Sequence, residues 1–411
     1  MHFKSLIALI VSTTTVLVQA ADNDTDSCSF SKTSIIDPTG IQSLNACPTL
    51  DGDITITGNS LNSIDLSGVT VIKGKVLITN SGSIISLNLN QLQNITGSLV
   101  LNNVTQLNSI DLNSLSIADD LELISLPSFA ILNLNQDVSK AGKVVLSDTA
   151  LSNLNGLAAF DTIDHMNINN NKNITHIEFV NLQTVTDSLV LSFNNDNAIV
   201  YLNALKWASN LTIQDVGEFY ASNLTAVNGS LSFSYNTFDK LNVSKLETVG
   251  SSLQIFANDD LTDLSLNSLR EISGELRMFN NTQLENLDDS FNSLQRIRGA
   301  VSIAGPITNF TVSSLQRVNG DFELNSSSED FDCSEFNALH DAGDIEGHNY
   351  ICAAGVEESM LSSQSTSTSS SDSTDGSGST TTSTGNRENG VNKLIVPGSF
   401  LTGLVGVLAL L

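Results

Sequence analysis

Basic residues are scarce in this chain: 17 Lys and Arg stand against 44 Asp and Glu over 411 residues, a formal charge of −27. A surface of that sign repels phosphate backbones and anionic headgroups, so no nucleic-acid partner is expected. The acidity reads instead as a solvated coat that keeps a secreted protein from sticking to itself. Cysteine is also sparse, with Cys28, Cys47, Cys333 and Cys352 making up the whole set. Neither pair has close thiolate spacing or a His set beside it, which argues against a metal site. The usual marks of catalysis are missing as well: there is no nucleophile elbow, metalloprotease helix motif, phosphate loop or calcium loop. No cofactor is expected.

What is present is repetition. Residues 52–325 restate one short phrase, seen by aligning Gly97-Ser-Leu99-Val-Leu101, Gly229-Ser-Leu231-Ser-Phe233, Ser251-Ser-Leu253-Gln-Ile255 and Gly274-Glu-Leu276-Arg-Met278. Copies start at Gly52, Gly74, Gly97, Asp120, Gly142, His165, Asp187, Ser209, Gly229, Ser251, Gly274, Gly299 and Gly320, spaced by 20 to 25 residues, which is a solenoid period. Within a copy, Leu253/Ile255 and Leu264/Leu266 are two-residue steps that place both side chains on one face of a strand. The three-residue steps between them are corners. So short a rung has no room for a helix, and the pattern predicts an all-β, right-handed parallel β-solenoid of about 13 rungs.

Asn59, Asn171, Asn194, Asn236, Asn258 and Asn281 each follow the second apolar position by three residues. Turned inward at a corner, such residues can bond the backbone groups that a bend unpairs and form a ladder from rung to rung. From Asp187 to Asn228, which holds the only Trp, Trp207, with Phe219 and Tyr220, the repeat gaps fall to 20, and the rungs from Ser209 to Val227 depart from the regular motif. A bend or a change of cross-section, at a join between two halves, is expected in this stretch.

The repeats carry appendages. Residues 1–20 read as a signal peptide ending Val18-Gln19-Ala20. Residues 21–51 form an N-terminal cap and 326–358 a C-terminal cap, in which Cys333-Ser-Glu-Phe336-Asn-Ala-Leu339-His340 has the spacing of a short helix. Two cysteines precede the repeats and two follow them, so a rod leaves Cys28–Cys47 and Cys333–Cys352 as the disulfides within reach. Both would staple the ends of a stack whose terminal rungs otherwise expose strand edges.

Residues 359–389 form a stalk; 19 of the 27 residues in 359–385 are Ser or Thr, too few apolar groups to fold and suited to O-linked sugars. The apolar terminus with nothing polar after it predicts replacement by a GPI anchor, with 390–411 removed. The expected attachment residue is Asn389, with Ser383 as competitor. Eleven Asn-x-Ser/Thr sites fit this secretory route: Asn23, Asn94, Asn103, Asn173, Asn210, Asn223, Asn228, Asn242, Asn280, Asn309 and Asn325.

A secreted solenoid could also cleave polysaccharide, which requires carboxylates gathered on one wall. The paired acids Asp119-Asp120, Asp259-Asp260 and Asp288-Asp289 fall at different phases of the repeat and read as corners. A recognition role has one candidate feature. Phe193, Tyr235, Phe256 and Phe279 follow the first strand pair of their rungs and could face outward to stack on sugar rings.

The ordered combination of signal peptide, Gly-x-Leu-x-Leu rungs, Phe331-Asp-Cys333-Ser with a later Cys352, Ser/Thr stalk and anchor tail resembles the fungal GPI-anchored cell-wall proteins of the extracellular-mutant and sporulation-specific type. Their repeat region is similar to the receptor L domain. The resemblance implies a non-catalytic mannoprotein of the plasma membrane and wall, held by GPI lipid and linked to wall glucan through the anchor remnant. A wall polysaccharide or host-surface ligand is the alternative partner.

Overall fold

The computed structural model describes residues 28–356 apart from 155 and 158. The segments expected to be signal peptide, stalk and anchor propeptide, with Asn23, Ser383 and Asn389, lie outside the described residues. The chain divides into two compact units at Asn195/Asp196, inside the stretch from Asp187 to Asn228 where a bend or change of cross-section is expected.

The first unit opens with strand Ser29–Ile35 and helix Pro38–Asn45. The Asp37 carboxylate accepts the N–H groups of Thr39 (2.9 Å) and Gly40 (3.0 Å), and Pro38 opens the first turn, a start signal for a helix. The helix buries Ile41 and Leu44, and the Cys28–Cys47 disulfide joins its far end to the first strand. That strand pairs in parallel with Thr49–Thr57, so the cap itself contributes a strand below the first repeat.

From there Thr49–Thr57, Lys75–Ser81, Asn94–Val104, Ile117–Leu126, Lys140–Thr149, Thr162–Asn169 and Thr184–Ser192 pair in order, all parallel. The register stacks like on like. Ile54, Val76, Leu99, Leu121, Val144, Met166 and Leu189 form one inward column. Two residues on, Ile56, Ile78, Leu101, Leu123, Leu146, Ile168 and Leu191 form a second, and every member of both is buried. A second wall of three-residue strands, Ser63–Asp65, Ser86–Asn88, Ser109–Asp111 and Ile131–Asn133, closes the rungs. The Leu-x-x-Leu steps after it are reverse turns: the N–H of Val69 bonds the carbonyl of Leu66 (3.0 Å), Leu92 that of Leu89 (2.9 Å) and Leu115 that of Leu112 (3.0 Å).

Glycine opens many rungs for a steric reason. A Cβ on Gly74 would lie 2.2 Å from the backbone of Gly52, and one on Gly97 2.2 Å from the Gly74 carbonyl. The strand entrances of adjacent rungs touch backbone to backbone.

The second unit repeats the plan with a broken strand. Two-residue pieces such as Thr248–Val249 and Glu271–Ile272 lead into four-residue pieces such as Leu253–Phe256 and Leu276–Phe279. Its inward columns are Leu211, Leu231, Leu253, Leu276, Val301, Phe322 and Ile213, Phe233, Ile255, Met278, Ile303, Leu324. Taking one rung, Leu253, Ile255, Leu261, Leu264, Leu266, Leu269 and Ile272 are all buried, each contributing roughly 2 kcal/mol of transfer free energy.

Helix Ser334–Asp341 closes this unit, at the place the apolar spacing predicts. Its one buried residue, Phe336, meets Phe310, Phe322 and Phe331 at ring-centroid distances of 5.4, 5.2 and 6.3 Å. The Cys333–Cys352 disulfide ties the helix start to strand Tyr350–Ala353, which pairs in parallel with Phe322–Ser326. Both helices belong to the caps, and the described repeats are built from strands and turns.

Candidate functional site

Most rungs turn their first corner through a residue in the left-handed region; those starting at Gly299 and Gly320 do not. In the first unit these are Asn80, Asn103, Ser125, Asp148, Asn170 and Phe193, with φ between 52° and 56°; in the second they are Asp215, Tyr235, Ala257 and Asn280, between 54° and 58°. Asn and Asp tolerate this conformation, whereas aromatic side chains adopt it at a cost of about 1 kcal/mol. Phe193 and Tyr235 are thus held out at strained corners, 43% and 52% exposed.

The next residue along is the ladder position. Asn171 and Asn194 in the first unit, and Asn236, Asn258 and Asn281 in the second, are buried. Each side-chain amide reaches back one rung to a strand carbonyl: Asn171 to Leu146 (3.0 Å), Asn194 to Ile168 (2.9 Å), Asn236 to Ile213 (3.1 Å), Asn258 to Phe233 (3.2 Å), Asn281 to Ile255 (2.9 Å). Thr149 enters the first ladder by donating both N–H (3.1 Å) and hydroxyl (2.6 Å) to Asn171 Oδ1. Asn59 departs from the expectation. It is exposed, and its Oδ1 accepts the N–H of Gly82 at 2.8 Å. It sits on the first full rung, where the chain below leaves the stack after Ile35 to form the cap helix.

Of the four candidate stacking aromatics, three lie together. Tyr235 meets Phe256 edge to face with centroids 5.7 Å apart, and Phe256 stacks on Phe279 at 5.0 Å with planes 9° apart. The Arg277 guanidinium lies 5.4 Å over the Phe279 ring. Phe256 and Phe279 occupy equivalent register positions, so the spacing of strands sets the spacing of rings. They are half-buried and use their faces on each other; Tyr235 is the member that projects. Phe193 belongs to the first unit and is not part of this row.

The paired acids do not converge. The structure brings together a different set on the outer face of the first unit: Asp120, Glu122 and, from the next rung, Lys143. Lys143 donates to Glu122, and Asp120 stands two residues before Glu122 on the same strand, in register with Lys143. Burial, then the Glu122 charge, holds the Asp120 carboxyl above the usual range. The signal was in the sequence as an i, i+2 pair on one strand face with a partner one period later. Nearby, His165 Nδ1 lies 2.7 Å from Ser188 Oγ and 3.2 Å from Asp187 Oδ2, a side-to-side contact across two rungs. Among the described residues no three His, Cys, Asp or Glu side chains are grouped to hold a metal ion.

The sequons separate by exposure. Asn103, Asn173, Asn223, Asn228, Asn242, Asn280 and Asn309 are exposed, Asn94 and Asn210 half-buried, and Asn325 is buried with its amide on Glu323 Oε1 at 2.8 Å.

The chain is 59% identical over 412 residues, 99% of both chains, to the cell surface GPI-anchored protein ECM33 of Candida albicans. It is 32% identical over 320 residues to the cell wall mannoprotein PST1 of Saccharomyces cerevisiae, covering 78% of this chain and 71% of the relative. It is 29% identical over 318 residues to the sporulation-specific protein 2 of the same yeast, covering 77% and 63%. No family model matches, and no solved structure matches either. With its full length aligned to one such protein and its rungs to others, this chain belongs to the family of fungal GPI-anchored cell-wall proteins that includes ECM33 and PST1.

Proposed function

We propose that the protein is a GPI-anchored cell-surface mannoprotein that contributes structurally to the fungal cell wall and performs no catalysis. The observation that carries this reading is the 59% identity over 99% of both chains to a protein named for its GPI anchor, which spans the leader and tail segments as well as the rungs. The relatives' names denote cell-surface and wall proteins rather than enzymes. The described fold adds a physical reason: the interior is filled by stacked apolar side chains, and the acid group around Asp120 is paired by Lys143 rather than set around an open site. The reading is tested by release from intact cells. Phosphatidylinositol-specific phospholipase is expected to free the membrane-held fraction and glucanase the fraction joined to wall glucan through the anchor remnant. Retention after both treatments counts against the anchor; a deletion strain with unchanged resistance to wall-binding dyes counts against the structural role.

A second reading, recognition of wall polysaccharide or a host surface by the side wall of the repeats, is favoured by the strained, projecting Tyr235 at the head of an aromatic row. An aromatic held at positive φ is a place to look for function.

A further inference from the structure

The rung that starts at Ser209 is missing part of a corner. Asn258 lies six residues before Leu264, the centre of strand Asp263–Ser265, and Asn236 five before Leu241, whereas Val216 lies three before Phe219, the centre of Glu218–Tyr220. Val216 holds the ladder position, since its N–H bonds Asn236 Oδ1 at 3.1 Å, so the deletion falls in the corner itself. The consequence is a break in the second wall. Ile199–Tyr201 pairs with Glu218–Tyr220, and Lys240–Asn242 with Asp263–Ser265, but the two pairs belong to separate sheets. Between them opens a cleft of about 800 Å³, within the range of small-molecule sites.

The cleft has an aromatic platform. Tyr220 is stacked on Tyr201 at 5.0 Å with planes 8° apart, is 43% exposed, and borders the cleft on its uncovered side. Its hydroxyl donates to Glu218 at 2.6 Å, which fixes the ring's tilt. Around it stand Asn203, Asp239, Lys240, Asn242 and Lys245. Lys245 donates to Asn223 Oδ1 at 2.8 Å and Lys240 lies 3.2 Å from Asp263, so both ammonium groups are steadied rather than free to sweep. The two lysines of the lining balance the carboxylates of Glu218 and Asp239, leaving no net charge in a chain of −27. A flat ring face with mixed donors and acceptors at its rim and no net charge suits a pyranose. Its axial C–H groups are drawn to the negative face of the ring, and its hydroxyls both give and accept hydrogen bonds.

We infer that this cleft is a binding site for a neutral hexopyranose unit, stacked on Tyr220. The sugar can come from two sources, an external polysaccharide or the chain's own N-linked glycan, because Asn242 and Ser244 of the Asn242-Val243-Ser244 sequon both line the cleft.

The test uses the full chain purified in detergent, titrated by calorimetry with a β-linked glucose hexasaccharide and an α-linked mannose hexasaccharide. If the source is external, wild type binds at least one of them, Y220A loses at least tenfold in affinity, and Y220F, which keeps the ring, stays within about threefold. If the source is internal, wild type binds neither, N242Q gains binding, and the Asn242 glycan resists endoglycosidase in wild type but is trimmed in Y220A. No binding by wild type or N242Q, with equal trimming of the Asn242 glycan in wild type and Y220A, overturns the inference. The choice of wall sugars as probes rests on the cell-wall reading; surface display of Y220A, which that reading requires to be normal, is scored separately.

Discussion

Asn281 Oδ1 accepts both the backbone N–H and the side-chain amide of Asn258, at 3.1 and 3.0 Å. Asn258 Oδ1 does the same for Asn236, at 3.1 and 2.8 Å. The Asn258 carboxamide is therefore saturated: its oxygen takes two donors from the rung below, and its nitrogen gives one bond to that rung's carbonyl and one to the next oxygen. In a buried corner, a group left without its partner costs about 1–3 kcal/mol. Asn258→Ala is expected to lower stability by roughly 3–5 kcal/mol on that basis. Asn258→Asp should do worse, because it keeps the acceptor but aims a carboxylate at the Phe233 carbonyl and Asn281 Oδ1. Urea unfolding of the two variants checks the order; Asp milder than Ala would show that the amide donors do not hold the corner.

The aromatic row separates a structural from a recognition role. Phe256→Ala removes contacts to both Tyr235 and Phe279 and is expected to cost about 1–3 kcal/mol from lost burial and ring contacts. Tyr235→Ala removes a projecting side chain with one ring contact and keeps the kind of positive-φ corner that Ala257 occupies one rung on, so its stability is expected to change by less than about 1 kcal/mol. Should Tyr235 recognise sugar, its alanine variant loses retention on insoluble wall polysaccharide with stability intact. Unchanged retention removes that role.

Two half-buried carboxyls predict a stability that falls as the medium is neutralised. Burial raises Glu275, with Arg277 opposing, and burial followed by the Glu122 charge raises Asp120. For a carboxyl whose folded value lies above its unfolded one, the folded state holds more protons between the two values. Stability is then greatest below the unfolded value and declines as pH climbs through the window up to the folded value. Thermal unfolding from pH 4 to 7 should show this decline, and E275Q and D120N should each flatten it. Wild-type stability that rises over the same interval would contradict the assignment.

Glycan occupancy should follow exposure. Peptide mass spectrometry is expected to find sugar on exposed sites such as Asn173, Asn228 and Asn309, and none on Asn325, which is 4% exposed and bonded to Glu323. A glycan on Asn325 in the folded protein would require the strand Phe322–Ser326 to be placed otherwise.

The C-terminal staple closes a loop with a sequence separation of 19 residues. A disulfide across such a loop contributes roughly 3 kcal/mol by restricting the unfolded chain. Cys333→Ser with Cys352→Ser is expected to lower the unfolding midpoint and to expose the Phe336 cluster to proteolysis before the rungs are cut. Loss of the whole repeat at the same protease dose would mean that the cap and its unit unfold as one.

Period, parallel register and inward faces were determined by the sequence alone, because a two-residue strand step and a fixed rung length leave one way to stack Leu253 under Leu276. The cap disulfides followed from the placement of two cysteines before the repeats and two after them. The ladder was legible in Asn171, Asn194, Asn236, Asn258 and Asn281 but misleading at Asn59, where the shape of the chain below decides whether an inward amide finds a carbonyl. Aromatic spacing put Phe256 and Phe279 on one face without saying that their rings would cover each other. The Asp120, Glu122 and Lys143 group and the cleft beside Tyr220 were decided by tertiary structure. Side chains from different rungs meet there at distances set by register and corner length, and three residues missing after Val216 change which backbones can pair.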